Sequence, residues 1–213
     1  MNPVQVASAA TTAGAFAVGD WSRLAAIFLS AGLVDNIALA WFIGMCAFLA
    51  LSKDTRVAFG MGVAVTFVTT LTATANWLVN RFLLVPLGLE YLQFLVFILT
   101  IAAIVQFLEL FVDRHFPALY EAFGIFLPLI TVNCTVLAAS IFMVQRQYRF
   151  WETVVFALAT GLGWMLAILL LAGLRQHLAF CRPPKNLGEV GTALLLAGLL
   201  AMAFSGFAGM AVQ

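Results

Sequence analysis

Two cysteines sit where thiols are seldom placed. Cys46 closes the run Trp41-Phe42-Ile43-Gly44-Met45-Cys46, and Cys134 closes Gly124-Ile125-Phe126-Leu127-Pro128-Leu129-Ile130-Thr131-Val132-Asn133-Cys134. Both runs are dominated by apolar residues. The ordinary reading of one buried cysteine is a small hydrophobe. Two such thiols on related segments leave three further chemistries open: a disulfide, a thiol-dependent gate in a transport route, or ligation of a metal. A [2Fe-2S] centre ordinarily takes four thiolates. This chain offers two at a suitable depth, so a second protein chain would have to bring the others. Gly44 and Asn133, beside the cysteines, would allow close approach and donate a hydrogen bond in such a site, or else serve ordinary helix packing.

The elements that must position these residues are membrane helices. Of 213 residues, 64% are hydrophobic and 9% charged, with a mean hydropathy of +1.10, which excludes a soluble core with a wettable surface. Apolar runs separated by short charged islands predict six spans, at about 24–51, 57–79, 91–112, 119–144, 150–173 and 188–212. Each reaches the roughly 20 residues that cross about 30 Å of hydrocarbon. Residues 94–107 do not alternate polar with apolar, so a barrel is excluded. The expected fold is thus an all-α membrane protein. Residues 1–22 read as a loosely ordered leader and 23–213 as one six-helix domain. A net charge of +1 without a basic stretch gives no reason to expect nucleic acid.

The six spans divide into two three-helix halves, about 23–115 and 116–213. Cys46-Ala47-Phe48-Leu49-Ala50-Leu51-Ser52 aligns with Cys134-Thr135-Val136-Leu137-Ala138-Ala139-Ser140, matching at Cys, Leu, Ala and Ser. An odd number of helices per half inverts the second half in the membrane, giving an inverted repeat. Counted at about 1.5 Å per residue from the Lys53 and Arg146 turns, both cysteines fall near the bilayer midplane. Broken helices are expected around them. Asp35-Asn36 interrupts the first span and Pro128 the fourth, and such breaks are tolerated only where the backbone faces protein. Asp35 is expected to cap the second part of the first span. The balance of Lys and Arg in the short loops puts both termini outside the cytoplasm.

The motifs Phe42-Ile43-Gly44-Met45-Cys46, the long run ending Val132-Asn133-Cys134, Phe142-Met143-Val144-Gln145-Arg146 and Gly163-Trp164-Met165-Leu166-Ala167-Ile168 resemble the E subunits of the sodium-translocating NADH:quinone oxidoreductases. The likeness runs from about Ile27 to the C-terminus. The connection Leu84-Val85-Pro86-Leu87-Gly88-Leu89-Glu90-Tyr91-Leu92 looks more like the sister family, the A subunits of the Rnf complexes. The resemblance implies a six-helix component of the bacterial inner membrane. Its partners would be the homologous D subunit, of opposite topology, and the rest of a six-subunit complex. It implies that Cys46 and Cys134 join two cysteines of the D subunit around an intramembrane [2Fe-2S] cluster that relays electrons across the membrane. NADH, FAD, FMN and quinone would sit on other subunits. The resemblance also implies a place for Glu109 in a sodium path, against the plainer reading of a solvated helix end. Departures are the leader and Cys181, which reads as a reduced loop thiol.

Two other functions fit the residues. A stand-alone secondary transporter would share the inverted repeat and broken helices, building its site from Asp35, Asn133 and the Pro128 break. A membrane scaffold would need no cofactor. Gly60-Met61-Gly62 lies within a span, so no dinucleotide fingerprint is present, and activity on NADH would belong to the complex. His115 and His177 are expected at the membrane boundary, without a metal.

Overall fold

The computed structural model describes residues 20–115, 129–130, 133–180 and 188–208. The leader, Pro128, Cys181 and both chain ends lie outside them. All regular structure among the described residues is helical.

Helix α1 (Asp20–Leu29) widens into a π-turn, Ser30–Val34. After Asp35-Asn36 comes one turn, α2 (Ile37–Ala40); after Trp41–Gly44 comes α3 (Met45–Leu51). The first span is therefore broken twice. Helix α4 runs Thr55–Val79, passes through a π-turn at Asn80–Leu84 and ends in Val85–Leu87. A connection expected from Asn80-Arg81 onward is thus still helical. Pro86 is the second residue of that last turn, directly after the π-turn and one turn from the end of the helix at Gly88. Helices α5 (Gln93–His115), α6 (Cys134–Gln145), α7 (Phe150–Phe180) and α8 (Gly188–Ala208) follow. Arg175, Gln176 and His177, expected in a loop, continue α7.

Three helices, Thr55–Leu87, Gln93–Phe111 and Phe150–Leu178, are long and apolar enough to cross a membrane; Trp21–Val34, Cys134–Gln145 and Val190–Gly206 are shorter apolar pieces. The centre of the molecule is the antiparallel pair α4–α7. A Cβ on Gly62 would collide with the Met165 side chain, and one on Gly161 would come within 2.6 Å of the Thr66 Cα. The contact is reciprocal: each helix presents a glycine to a bulkier residue four positions along the other. Small residues are what let helix backbones approach closely in lipid, where hydrophobicity cannot drive association. Around this pair Met61, Val65, Ile101, Val105, Ile168 and Leu171 are buried, while Phe67, Phe82, Leu99 and Phe107 face outward into what would be hydrocarbon.

The first span climbs alongside α7. At one end Arg23 pairs with Glu152 at 3.1 Å, and Glu152 also accepts from the Arg149 N–H, the back-reaching half of a capping box. Midway, the Asn36 Nδ2 donates to the Gly163 carbonyl at 2.8 Å. At the far end Arg175 donates to the Leu49 carbonyl and the Ser52 hydroxyl, placing a cation on the C-terminus of α3.

A candidate thiol site where two half-helices begin

Both cysteines stand at helix starts. Cys46 is the second residue of α3, and Cys134 the first of α6. Helix α3 leaves the break toward Arg175, whereas α6 leaves it toward the Tyr148 turn, whose carbonyl accepts from the Trp77 indole. The two half-helices therefore point their N-termini at one another. Trp164 fixes the depth of that meeting, because it lies midway along the Phe150–Leu178 stretch and its ring packs against Phe48 of α3. That stretch is about 43 Å long at 1.5 Å per residue, more than enough to cross a core of roughly 30 Å, and the junction stands level with its middle.

The junction is made of polar groups. Gly44 precedes α3 with φ +85°, a left-handed conformation that suits glycine, and it is buried. A Cβ there would collide with the Thr135 Oγ1 and come within 3.0 Å of the Asn133 Oδ1 and 3.2 Å of the Trp164 Nε1. Asn133 caps α6, its side-chain oxygen accepting from the Thr135 N–H at 3.1 Å. The Thr135 hydroxyl donates across to the Ile43 carbonyl at 3.4 Å. Gly44 and Asn133 are thus brought together at the same place. The Cys46 and Cys134 side chains are themselves exposed on the outer surface of the chain.

Asp35 is not the cap it was expected to be. Its neighbour Asn36 accepts from the Ala38 N–H and caps α2. Asp35 instead accepts from Arg146 at 3.1 Å and from the Ser30 hydroxyl. Burial works against the Arg146 charge, but the Tyr148 hydroxyl and the Asp35 carboxylate outweigh it and hold its pKa above the ordinary value. Glu109 stands half-buried in the last two turns of α5, a helix with only 17% of its span buried, and it is not among the residues at the junction. Thr135 and Trp164 were not singled out from sequence. The signal for Trp164 was present in Gly163-Trp164-Met165, which carried a likeness but no chemistry of its own.

Comparison with known proteins settles the kinship of a chain with this geometry. The profile described as "Rnf-Nqr subunit, membrane protein" matches residues 24–211. The chain belongs to the Rnf-Nqr family. It is 47% identical over 199 residues to the E subunit of the Na(+)-translocating NADH-quinone reductase of Nitrosomonas europaea, covering 89% of this chain and 98% of that one. The corresponding E subunits of Neisseria gonorrhoeae and Yersinia enterocolitica are 48% and 47% identical, over 86% of this chain and 96% of theirs. The resemblance read from the motifs thus extends through the whole membrane part of an Rnf-Nqr protein. That family description covers both complexes considered from sequence, whereas these three relatives carry the name of the NADH-quinone reductase component.

Proposed function

We propose that the chain is the E subunit of a sodium-translocating NADH:quinone reductase in a bacterial inner membrane, with both termini outside the cytoplasm, and that Cys46 and Cys134 supply half of the ligands of a [2Fe-2S] centre. The observation that carries this reading is the meeting of two half-helix starts level with the middle of the Phe150–Leu178 helix, each presenting an exposed thiol. Among the described residues no three His, Cys, Asp or Glu side chains gather into a metal site. The remaining two thiolates would therefore come from another chain, for which the homologous D subunit is the partner of fitting symmetry. When bound, the centre would pass one electron at a time between cofactors on opposite sides of the membrane.

This chain's own residues fit that task. Exposure of Cys46 and Cys134 leaves both sulphurs able to meet a neighbouring chain. Gly44 keeps side-chain bulk away from the junction, and the Asn133 Nδ2, buried without a protein partner among the described residues, is available to donate a hydrogen bond. An inverted repeat is supported by paired contacts. Gly62 meets Met165 as Gly161 meets Thr66, and the repeat-matched Ser52 and Ser140 each accept from a long helix, from Arg175 and from Asn76. A transporter site at Asp35 has less support, because that carboxylate is engaged by Arg146.

The test is single replacement of Cys46 and Cys134 by alanine in the assembled complex. Iron content and the low-temperature electron paramagnetic resonance of the reduced sample are then measured. Loss of the signal and of NADH-driven quinone reduction, with assembly intact, is expected for each. Unchanged iron and turnover would leave both cysteines as packing residues and overturn the proposal.

A further inference from the structure

Six buried side-chain atoms among the described residues lack a hydrogen-bond partner: the Thr69, Thr153 and Thr160 hydroxyls, the Asn76 Oδ1, the Asn133 Nδ2 and the Trp164 Nε1. Their residues are all 0–2% exposed. An orphan polar atom inside a membrane protein is costly, since lipid offers no partner. Threonines elsewhere in this chain avoid the cost: Thr66, Thr70, Thr72, Thr74 and Thr100 each donate to the carbonyl four residues back. Thr69, Thr153 and Thr160 do not.

The six are ordered in space. Thr153, Thr160 and Trp164 are seven and four residues apart, so they share one stripe of α7. Thr69 and Asn76 are seven apart and share one stripe of α4. Because Thr66 lies against Gly161 in an antiparallel pair, Thr69 falls near the level of Thr160, and Asn76 near that of Thr153. Asn133 and Trp164 meet at Gly44, and α6 runs from there to Ser140, which accepts from Asn76. The unpartnered atoms thus fall at three levels, spread over eleven residues of α7 or about 16 Å, half of a roughly 30 Å bilayer core. Next along the chain from Asn76, Trp77 stacks edge-on to Phe150 and donates to the Tyr148 carbonyl.

We propose that this α4–α6–α7 seam holds a file of internal water reaching from the mid-membrane junction to the Trp77–Tyr148 cap. Water fits the chemistry better than a metal cation does. The unpartnered atoms at the inner end, the Asn133 Nδ2 and Trp164 Nε1, are donors that a water can accept from, whereas hydroxyls and an amide oxygen farther out accept and donate in turn. Such a file brings water, and through it protons, to the middle of the bilayer without opening a pore. Its basis is the set of orphan atoms, which exists whether or not the cysteines hold a metal.

The experiment is radiolytic hydroxyl-radical footprinting of the assembled complex in lipid nanodiscs, read by peptide mass spectrometry, with Phe97, also fully buried, as the dry reference. Trp164, corrected for intrinsic reactivity, is expected to label several-fold faster than Phe97. Thr160→Val should return it to the reference rate, and Thr160→Ser should keep it high. Labelling of Trp164 no faster than Phe97, with a raised thermal midpoint for Thr160→Val, would mean that the orphans are dry and would overturn the proposal.

Discussion

Gly44 carries more constraint than its neighbours. Its backbone is left-handed, and the direction a Cβ would take already holds Thr135, Asn133 and Trp164. Alanine would meet both objections at once. Left-handed strain costs on the order of 1–3 kcal/mol at a non-glycine residue, and the steric conflict would push the α3 and α6 starts apart. Gly44→Ala is therefore expected to lower the thermal midpoint of the complex and to weaken any group held by Cys46 and Cys134 together, read as bound iron per complex; an unchanged midpoint would contradict the geometry. At this scale the sequence was partly legible. It located both cysteines and singled out Gly44 and Asn133. It assigned the capping role to Asp35 when Asn36 performs it, because both side chains cap well and composition alone cannot say which is turned toward the Ala38 N–H.

Helices are legible in hydropathy only where polarity changes. The break at Trp41–Gly44 falls where a broken helix is expected, beside Cys46, but it interrupts a run that stays mostly apolar, so hydropathy does not mark its position; Phe42, with φ +53°, and Gly44 mark it in the backbone. The reverse error occurs at Asn80-Arg81 and Arg175, where polarity suggests an end and the helix continues. At Asn80 the helix absorbs the polar residues in a π-turn. At Arg175 the guanidinium finds the Leu49 carbonyl and Ser52 and so stays in the helix. The α4–α7 contact was half visible: Gly60-Met61-Gly62 reads as small residues that allow close helix approach, whereas nothing marks Gly161 as the counterpart among 16 glycines. Its importance can be measured. Gly161→Ala brings a methyl within 2.6 Å of the Thr66 Cα, a backbone atom that cannot swing aside, and should destabilise by about 1–3 kcal/mol as overpacked cores do. Gly173→Ala, with nothing within 4 Å, should be neutral or gain up to about 1 kcal/mol from helix propensity. Equal thermal midpoints for the two variants would show that close approach at Gly161 is unimportant.

At the scale of the whole molecule, the distribution of exposed surface argues that this chain is made to be covered. Cys46 and Cys134 both lie on the outer surface of the chain. Helix α5 buries only 17% of its span, against 50% for α4 and 56% for α7, so one side of the molecule is left without much protein against it. Apolar exposure alone does not separate a lipid-facing surface from a partner-facing one, because both surroundings favour the same side chains. On the proposed function the thiols do separate them, since a pair of thiolate ligands needs a second chain to complete its site, and that chain would cover the face on which both are exposed. Membranes from cells lacking the partner protein should therefore let N-ethylmaleimide, which crosses lipid, alkylate both cysteines. In the assembled complex both should be protected until iron is removed by chelation under denaturing conditions. Protection in the absence of the partner would place the covering surface within this chain. Alkylation in the intact complex, with iron content unchanged, would show that the two thiols hold no metal and that the partner docks elsewhere.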